Sequence, residues 1–193
     1  MQLMDSGMSV AVEFQKLLTS IRIERWLQES VFHFRWWFLL ALFLISAFTW
    51  CKLVDKTRLP EIVLYVGLTT IITLVLDEFG IELTLWSYPV DLLPIFPPLT
   101  AVDLASLPTI YSLIYQHFGT WRSFTLATVI MATIFCFVCE PILVWGDFYQ
   151  VLKWKYYYGF PIYIAMALFI RWMVVTMYTI ASKAEEKSKS PTI

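Results

Sequence analysis

Five long apolar stretches, at 36–54, 60–76, 102–118, 123–145 and 157–182, leave this chain few ways to fold. Crossing the hydrocarbon core of a bilayer takes about 20 mainly apolar residues in a helix. Within that core every backbone amide and carbonyl must find its partner inside its own helix or barrel. With 59% hydrophobic and only 15% charged residues in 193, the composition lies outside the soluble range. The sequence therefore predicts an all-α integral membrane protein, a bundle of about five transmembrane helices over 36–182. The stretch 102–118 is short and carries Pro108, so four helices plus a re-entrant segment is the alternative. Aromatic residues mark the expected interfaces: Trp36 and Trp37 open the first stretch, Trp50 closes it, Trp121 and Trp145 bracket the fourth, and "KWKYYYGF" leads into the fifth.

Residues 1–35 lack the uninterrupted apolar core and small-residue cleavage site of a secretory signal, and are expected to be retained. Phe14, Leu17, Leu18 and Ile21 follow helical spacing, with Lys16, Arg22 and Arg25 among the polar positions. The segment reads as an amphipathic helix in the membrane interface, or as one packed on a partner subunit. Residues 183–193 are charged and are expected to be a disordered tail.

Net charge is −1, with Lys and Arg scattered along the chain, which excludes nucleic acid as an expected partner. No zinc motif, Walker loop, nucleophile elbow or dinucleotide fingerprint occurs, so no cofactor is indicated. Cys136 and Cys139, in "CFVCE", have no second pair and read as buried thiols. His33 and His117 lack a second histidine at ligand spacing. Arg171 lies toward the end of the fifth stretch and is expected to snorkel to the interface.

Chemistry concentrates in 76–104, "LDEFGIELTLWSYPVDLLPIFPPLTAVDL". If consecutive stretches alternate in direction, Asp77, Glu78, Glu82, Asp91, Asp103, Glu140 and Asp147 share one membrane face. The distribution of Lys and Arg turns this acidic mouth outward by a narrow margin. Charged groups inside a bundle are costly, and they pair or line a watery cavity. Asp77 and Glu78 close a helix, where the macrodipole disfavours negative charge; Asp103 opens one, where an N-cap role would account for it. Glu140 lies about one turn inside Trp145. Pro89, Pro94, Pro97 and Pro98 make the intervening loop a stiff extended cover, with Leu92, Leu93, Ile95 and Phe96 dipping into the interface. Trp86 and Tyr88 are placed to wall a pocket, and Gly80 fits a turn ending the second stretch. The expected ligand-binding residues are Asp77, Glu78, Trp86, Tyr88, Asp103 and Glu140.

The run "LVLDEFGIELTLWSYPVDLLPIFPPLTAVDLASLPTIYSLIYQHFGTW", with "CEPILVWGDFYQ" and "WKYYYGFPIYI", resembles a family of small multipass membrane proteins from spore-forming Gram-positive bacteria. That resemblance implies a bacterial plasma membrane and five helices, and transfers no activity. Asp77 to Gly80, Trp86 to Tyr88, and Glu140 with Pro141 are also faintly similar to membrane-embedded lycopene cyclase type domains. The paired glutamates expected there after a proline are absent, and Glu140 precedes its proline. The leading expectation is binding or transport of a cation or cationic solute at the acidic mouth, hard cations favouring oxygen ligands. The others are a subunit of a membrane complex without chemistry, and an intramembrane enzyme acting on an isoprenoid or lipid, with Glu140 or Asp77 as general acid.

Overall fold

A computed structural model describes residues 2–95 and 100–189. Phe96, Pro97 and Pro98, which the sequence assigns to the stiff cover, and residues 190–193 lie outside the described residues. The architecture is all-α. Helix α1 (Gln2–Arg25) runs into a π-helical turn, Trp26–Ser30. Helix α2 (Phe34–Leu53) is followed by a 3-10 turn and α3 (Leu59–Glu82). A second π-turn, Val102–Ser106, opens α4 (Leu107–His117). Helix α5 (Trp121–Ile134), a third π-turn (Phe135–Cys139) and α6 (Glu140–Trp145) form one continuous rod. The last helix is α7 (Tyr156–Lys189).

Local chemistry sets the breaks. The Asp55 carboxylate accepts from the Thr57 amide at 2.9 Å and Pro60 occupies the first turn of α3, where its missing N–H costs nothing. Thr120 caps α5 by accepting from the Ser123 amide at 3.2 Å.

Among the described residues, four helices are long and apolar enough to cross a membrane: Phe34–Leu53, Lys56–Glu82, Trp121–Trp145 and Tyr156–Lys187. The stretch at 102–118 is also helical, yet is shorter and more polar. Its position explains this, because α4 packs against α2, α3 and α5 and buries Leu107, Tyr111 and Tyr115 beside Leu39, Tyr65, Phe124 and Met166. A helix wrapped by others needs no apolar outer face. Its small polar residues instead allow close approach: Ser106 Oγ meets Ser46 Oγ at 3.0 Å, and Thr109 donates to the Ser46 carbonyl at 3.4 Å. The outward faces of the long helices are apolar and exposed, through Leu44, Ile45 and Phe48 on α2, Ile71 and Val75 on α3, Leu126, Ile130 and Ile134 on α5, and Phe169 and Trp172 on α7.

One end of the bundle gathers the long loops. A two-residue strand β1 (Trp86–Ser87) pairs antiparallel with β2 (Gln150–Val151), Trp86 opposite Val151. The Leu152 and Lys153 amides donate to the Leu85 carbonyl at 2.9 Å. This tether fixes the end of α3 beside the start of α7.

Two expectations are corrected here. Residues 183–189, expected in the charged tail, continue α7 to Lys189; Lys183, Ala184, Glu185, Glu186 and Lys187 are all strong helix formers and extend it. Arg171 does not snorkel. It is 5% exposed, donates to the Phe118 carbonyl at 2.7 Å and to that of Gly119, and lies over the Phe124 ring at 4.4 Å. It closes the C-terminal end of α4 from within the bundle.

Candidate functional site

Beneath the β1–β2 tether lies a cavity of about 260 Å³. Its walls come from α3, the π-turn before α4, the α5–α6 rod and α7. Three carboxyl groups face it from three elements, Asp77, Asp103 and Glu140, each less than 8% exposed. Asp77 Oδ1 accepts from the Trp86 indole N–H at 2.9 Å and from the Tyr88 hydroxyl at 2.5 Å. The Asp77 and Asp103 carboxyls lie within hydrogen-bonding reach of each other. Across the cavity Glu140 Oε1 accepts from the Tyr163 hydroxyl at 3.0 Å. Asp77 Oδ2, Asp103 Oδ2 and Glu140 Oε2 are buried without a protein donor.

Backbone geometry contributes directly. Asp103 belongs to the π-turn Val102–Ser106, and Glu140 directly follows the π-turn Phe135–Cys139. Such turns concentrate at functional positions in helices, because one extra residue re-aims the side chains around it. Gly80 is not the turn that ends α3; it is helical and buried. The indole of Trp86 lies flat on it, so that a Cβ there would fall 1.8 Å from Trp86 Cζ2. Trp86 is held on its other sides by Trp154 (ring centroids 5.0 Å) and Tyr149 (6.5 Å), and Tyr149 stacks on Tyr88 at 5.6 Å. Burial, with Asp77 and Asp103 adding to it, holds the Tyr88 hydroxyl well above its ordinary range, so it stays a donor.

The seven acids of the expected mouth thus separate. Glu78, expected to bind beside Asp77, is exposed on the outer face of α3; adjacent helix positions point about 100° apart, so only one can enter the cavity. Glu82 is exposed as well. Asp147 pairs with Arg35 at 3.0 Å on the surface. Asp91 is turned away toward Arg25, 3.9 Å distant. Among the described residues, no group of three or more His, Cys, Asp or Glu side chains is arranged to hold a metal ion. No family model, curated protein or solved structure matches the chain.

Sequence reading missed Trp154, which lay inside the run "KWKYYYGF" taken as an interfacial anchor, and Tyr149 and Tyr163, to which it gave no role. The spacing of Gly159 and Tyr163, one helical turn apart, was the available signal. Gly159 leaves room for Tyr163 and Glu140, since a Cβ there would lie 3.2 Å from the Tyr163 ring and 3.4 Å from Glu140 Oε1.

Asp91 provides a pH prediction. Burial pushes its carboxyl from 3.8 up to about 7, outweighing the opposing pull of Arg25 and Arg22, with Asp77 adding slightly to the rise. A carboxyl with a raised folded-state pKa binds its proton more tightly in the folded chain. Its stabilising contribution is full below the ordinary value and is lost as pH climbs through the raised one. The thermal midpoint should therefore fall between pH 4 and 7, and Asp91→Asn should make that slope shallower. Equal slopes in parent and variant would refute the assignment.

Proposed function

We propose that the chain is a multipass membrane protein, with α4 as a fifth, central span, whose cavity admits a lipid-phase molecule and exchanges protons with it. The supporting observation is a carboxyl pair, with Glu140 opposite, set in an otherwise mainly apolar and aromatic chamber bordered by α3 and α7. The rim on that side is formed by Leu76, Phe79, Leu83 and Ile162, all exposed. Side chains of that kind border hydrocarbon rather than water, as do the outward faces of the long helices. An isoprenoid or lipid chain is the ligand class that enters such a door.

The chemistry follows from the carboxyl positions. Two carboxyls in mutual reach in a dry site are stable when one proton sits between them, and Trp86 and Tyr88 both donate to Asp77, so Asp103 is the member that carries it. Transfer of that proton to a carbon–carbon double bond forms a C–H bond and leaves a carbocation, and the pair becomes fully anionic. The aromatic rings that line the cavity, Trp86, Tyr149 and Phe135 among them, stabilise the positive charge. Glu140, on the opposite wall, then removes a proton from the neighbouring carbon. The product is an isomer of the substrate, and no oxidant or second reactant is consumed.

A cationic group is the second reading, favoured by the three orphaned carboxylate oxygens and the aromatic walls. One experiment separates the two. The purified full-length protein is melted in detergent with a neutral polyprenyl alcohol, a long-chain alkylamine and divalent cations, beside Asp103→Asn and Glu140→Gln. Ligand binding raises the midpoint by mass action. A rise with the polyprenol that both variants lose by tenfold or more in affinity supports the lipid-phase site. A rise with the amine alone shifts the assignment to a cationic ligand, and no rise with any probe overturns both.

A further inference from the structure

We propose that the end of the N-terminal helix is a latch on the loop that roofs the cavity, so that docking or release of α1 sets water access to the Asp77–Asp103 pair. This rests on the reading of the cavity as the ligand site and names its regulation. From Met8 onward α1 is exposed along nearly all its length, and helix and loop are joined where the π-turn begins. The Trp26 indole donates to the Asp91 carbonyl at 3.0 Å, Arg25 reaches the Tyr88 carbonyl at 3.4 Å, and the Arg25 guanidinium lies 3.9 Å from the Asp91 carboxylate. From α2, Trp36 donates to the Leu92 carbonyl at 3.2 Å.

The same few residues carry the inner contacts. Tyr88 presents its carbonyl to Arg25 and its hydroxyl to Asp77, so an outward shift of that residue breaks both together. Trp86, two residues earlier, is pinned on the site side by Asp77 and Gly80. The loop is thus clamped between a packed inner surface and a largely exposed helix, and the outer clamp is the weaker. It consists of one indole–carbonyl bond and long contacts from a half-exposed Arg25, interactions weak enough to break and re-form without unfolding the bundle. Opening from the loop side would bring water to the acid pair and return a proton to it, while the α3–α7 door serves the apolar ligand.

Full-length protein in nanodiscs, with no ligand added, provides the test. Arg25→Met and Trp26→Phe, singly and together, are compared with the parent and with Lys16→Met, an exposed α1 change remote from the loop. The first readout is amide hydrogen exchange across 83–93. The second is labelling of Asp77 and Asp103 by a water-soluble carbodiimide, followed by mass spectrometry. The double variant should raise both rates at least tenfold, each single variant less, and Lys16→Met should leave them unchanged. Rates equal to the parent's in a double variant that keeps its thermal midpoint would overturn the latch. A fall in midpoint with exchange raised throughout the chain would overturn it too, by assigning Arg25 and Trp26 to general stability. These rates are read without ligand, so a failed latch leaves the melting result on polyprenol binding untouched, and a failed ligand site leaves these rates as they are.

Discussion

Replacing Arg171 with Met should lower the stability of the folded protein by about 3 kcal/mol or more. Met matches the length and apolar stem of Arg, so the change isolates the guanidinium. That group donates to the Phe118 and Gly119 carbonyls, which end α4 where the negative pole of the helix lies. Charged hydrogen bonds of this type contribute about 1.5–3 kcal/mol each, toward the lower figure here because Phe118 and Gly119 are themselves exposed. The Phe124 and Trp121 rings, 4.4 and 5.0 Å from the guanidinium carbon, add about 1 kcal/mol through cation–π attraction. Arg171→Lys should recover only part, because a single ammonium cannot bridge both carbonyls and stack at once. Denaturant titration in detergent measures this, and a loss below about 0.5 kcal/mol for Met would show that the α4–α5 turn holds without Arg171.

Gly80→Ala should be destabilising by about 1–3 kcal/mol, and the sign is what makes it informative. In the middle of a helix, alanine is preferred over glycine by about 1 kcal/mol, so a glycine kept only by chance would yield a more stable variant. Here the new methyl would stand 1.8–2.3 Å from three atoms of the Trp86 indole, and overpacking of that kind costs about 1–3 kcal/mol or more. The indole would have to leave, taking with it the bond to Asp77 and the packing on Trp154. A red shift of tryptophan emission should accompany the fall in melting temperature. A gain in stability with unchanged emission would mean that the ring is free to move and that Gly80 is not its seat.

These two residues also show where sequence reading ran out. Stretches of apolar residues place α2, the α5–α6 rod and the starts of α3 and α7 to within two positions, since their outward faces are apolar, and stop short where α3 and α7 run on through charged residues to Glu82 and Lys189. Hydropathy marks α4 only as a short stretch interrupted by Pro108, because its partners are other helices rather than an apolar surround, and its Ser and Thr residues lower the signal while improving the fit. Asp77, Asp103, Glu140, Trp86 and Tyr88 could be picked out because a carboxyl in an apolar run is costly and a proline-flanked aromatic pair is rare. Glu78 could not be separated from Asp77, because one residue of helix rotation is invisible until the inward face is known. Gly80 and Arg171 were misread for a common reason: each answers to residues distant from its own helix, the indole of Trp86 and the last carbonyls of α4.

The wide turns beside Asp103 and Glu140 tie the cavity to the number of residues in its helices as well as to their kind. A π-turn holds one residue more than the regular coil around it, and each residue of a helix advances the side chains by about 100°. Loss of any one of the four positions from Cys136 to Cys139 would leave the rod as apolar as before and nearly as long, with every side chain that lines the cavity still encoded. Glu140 would then point elsewhere. Chain length in these short segments is therefore as much a part of the site as the acids themselves.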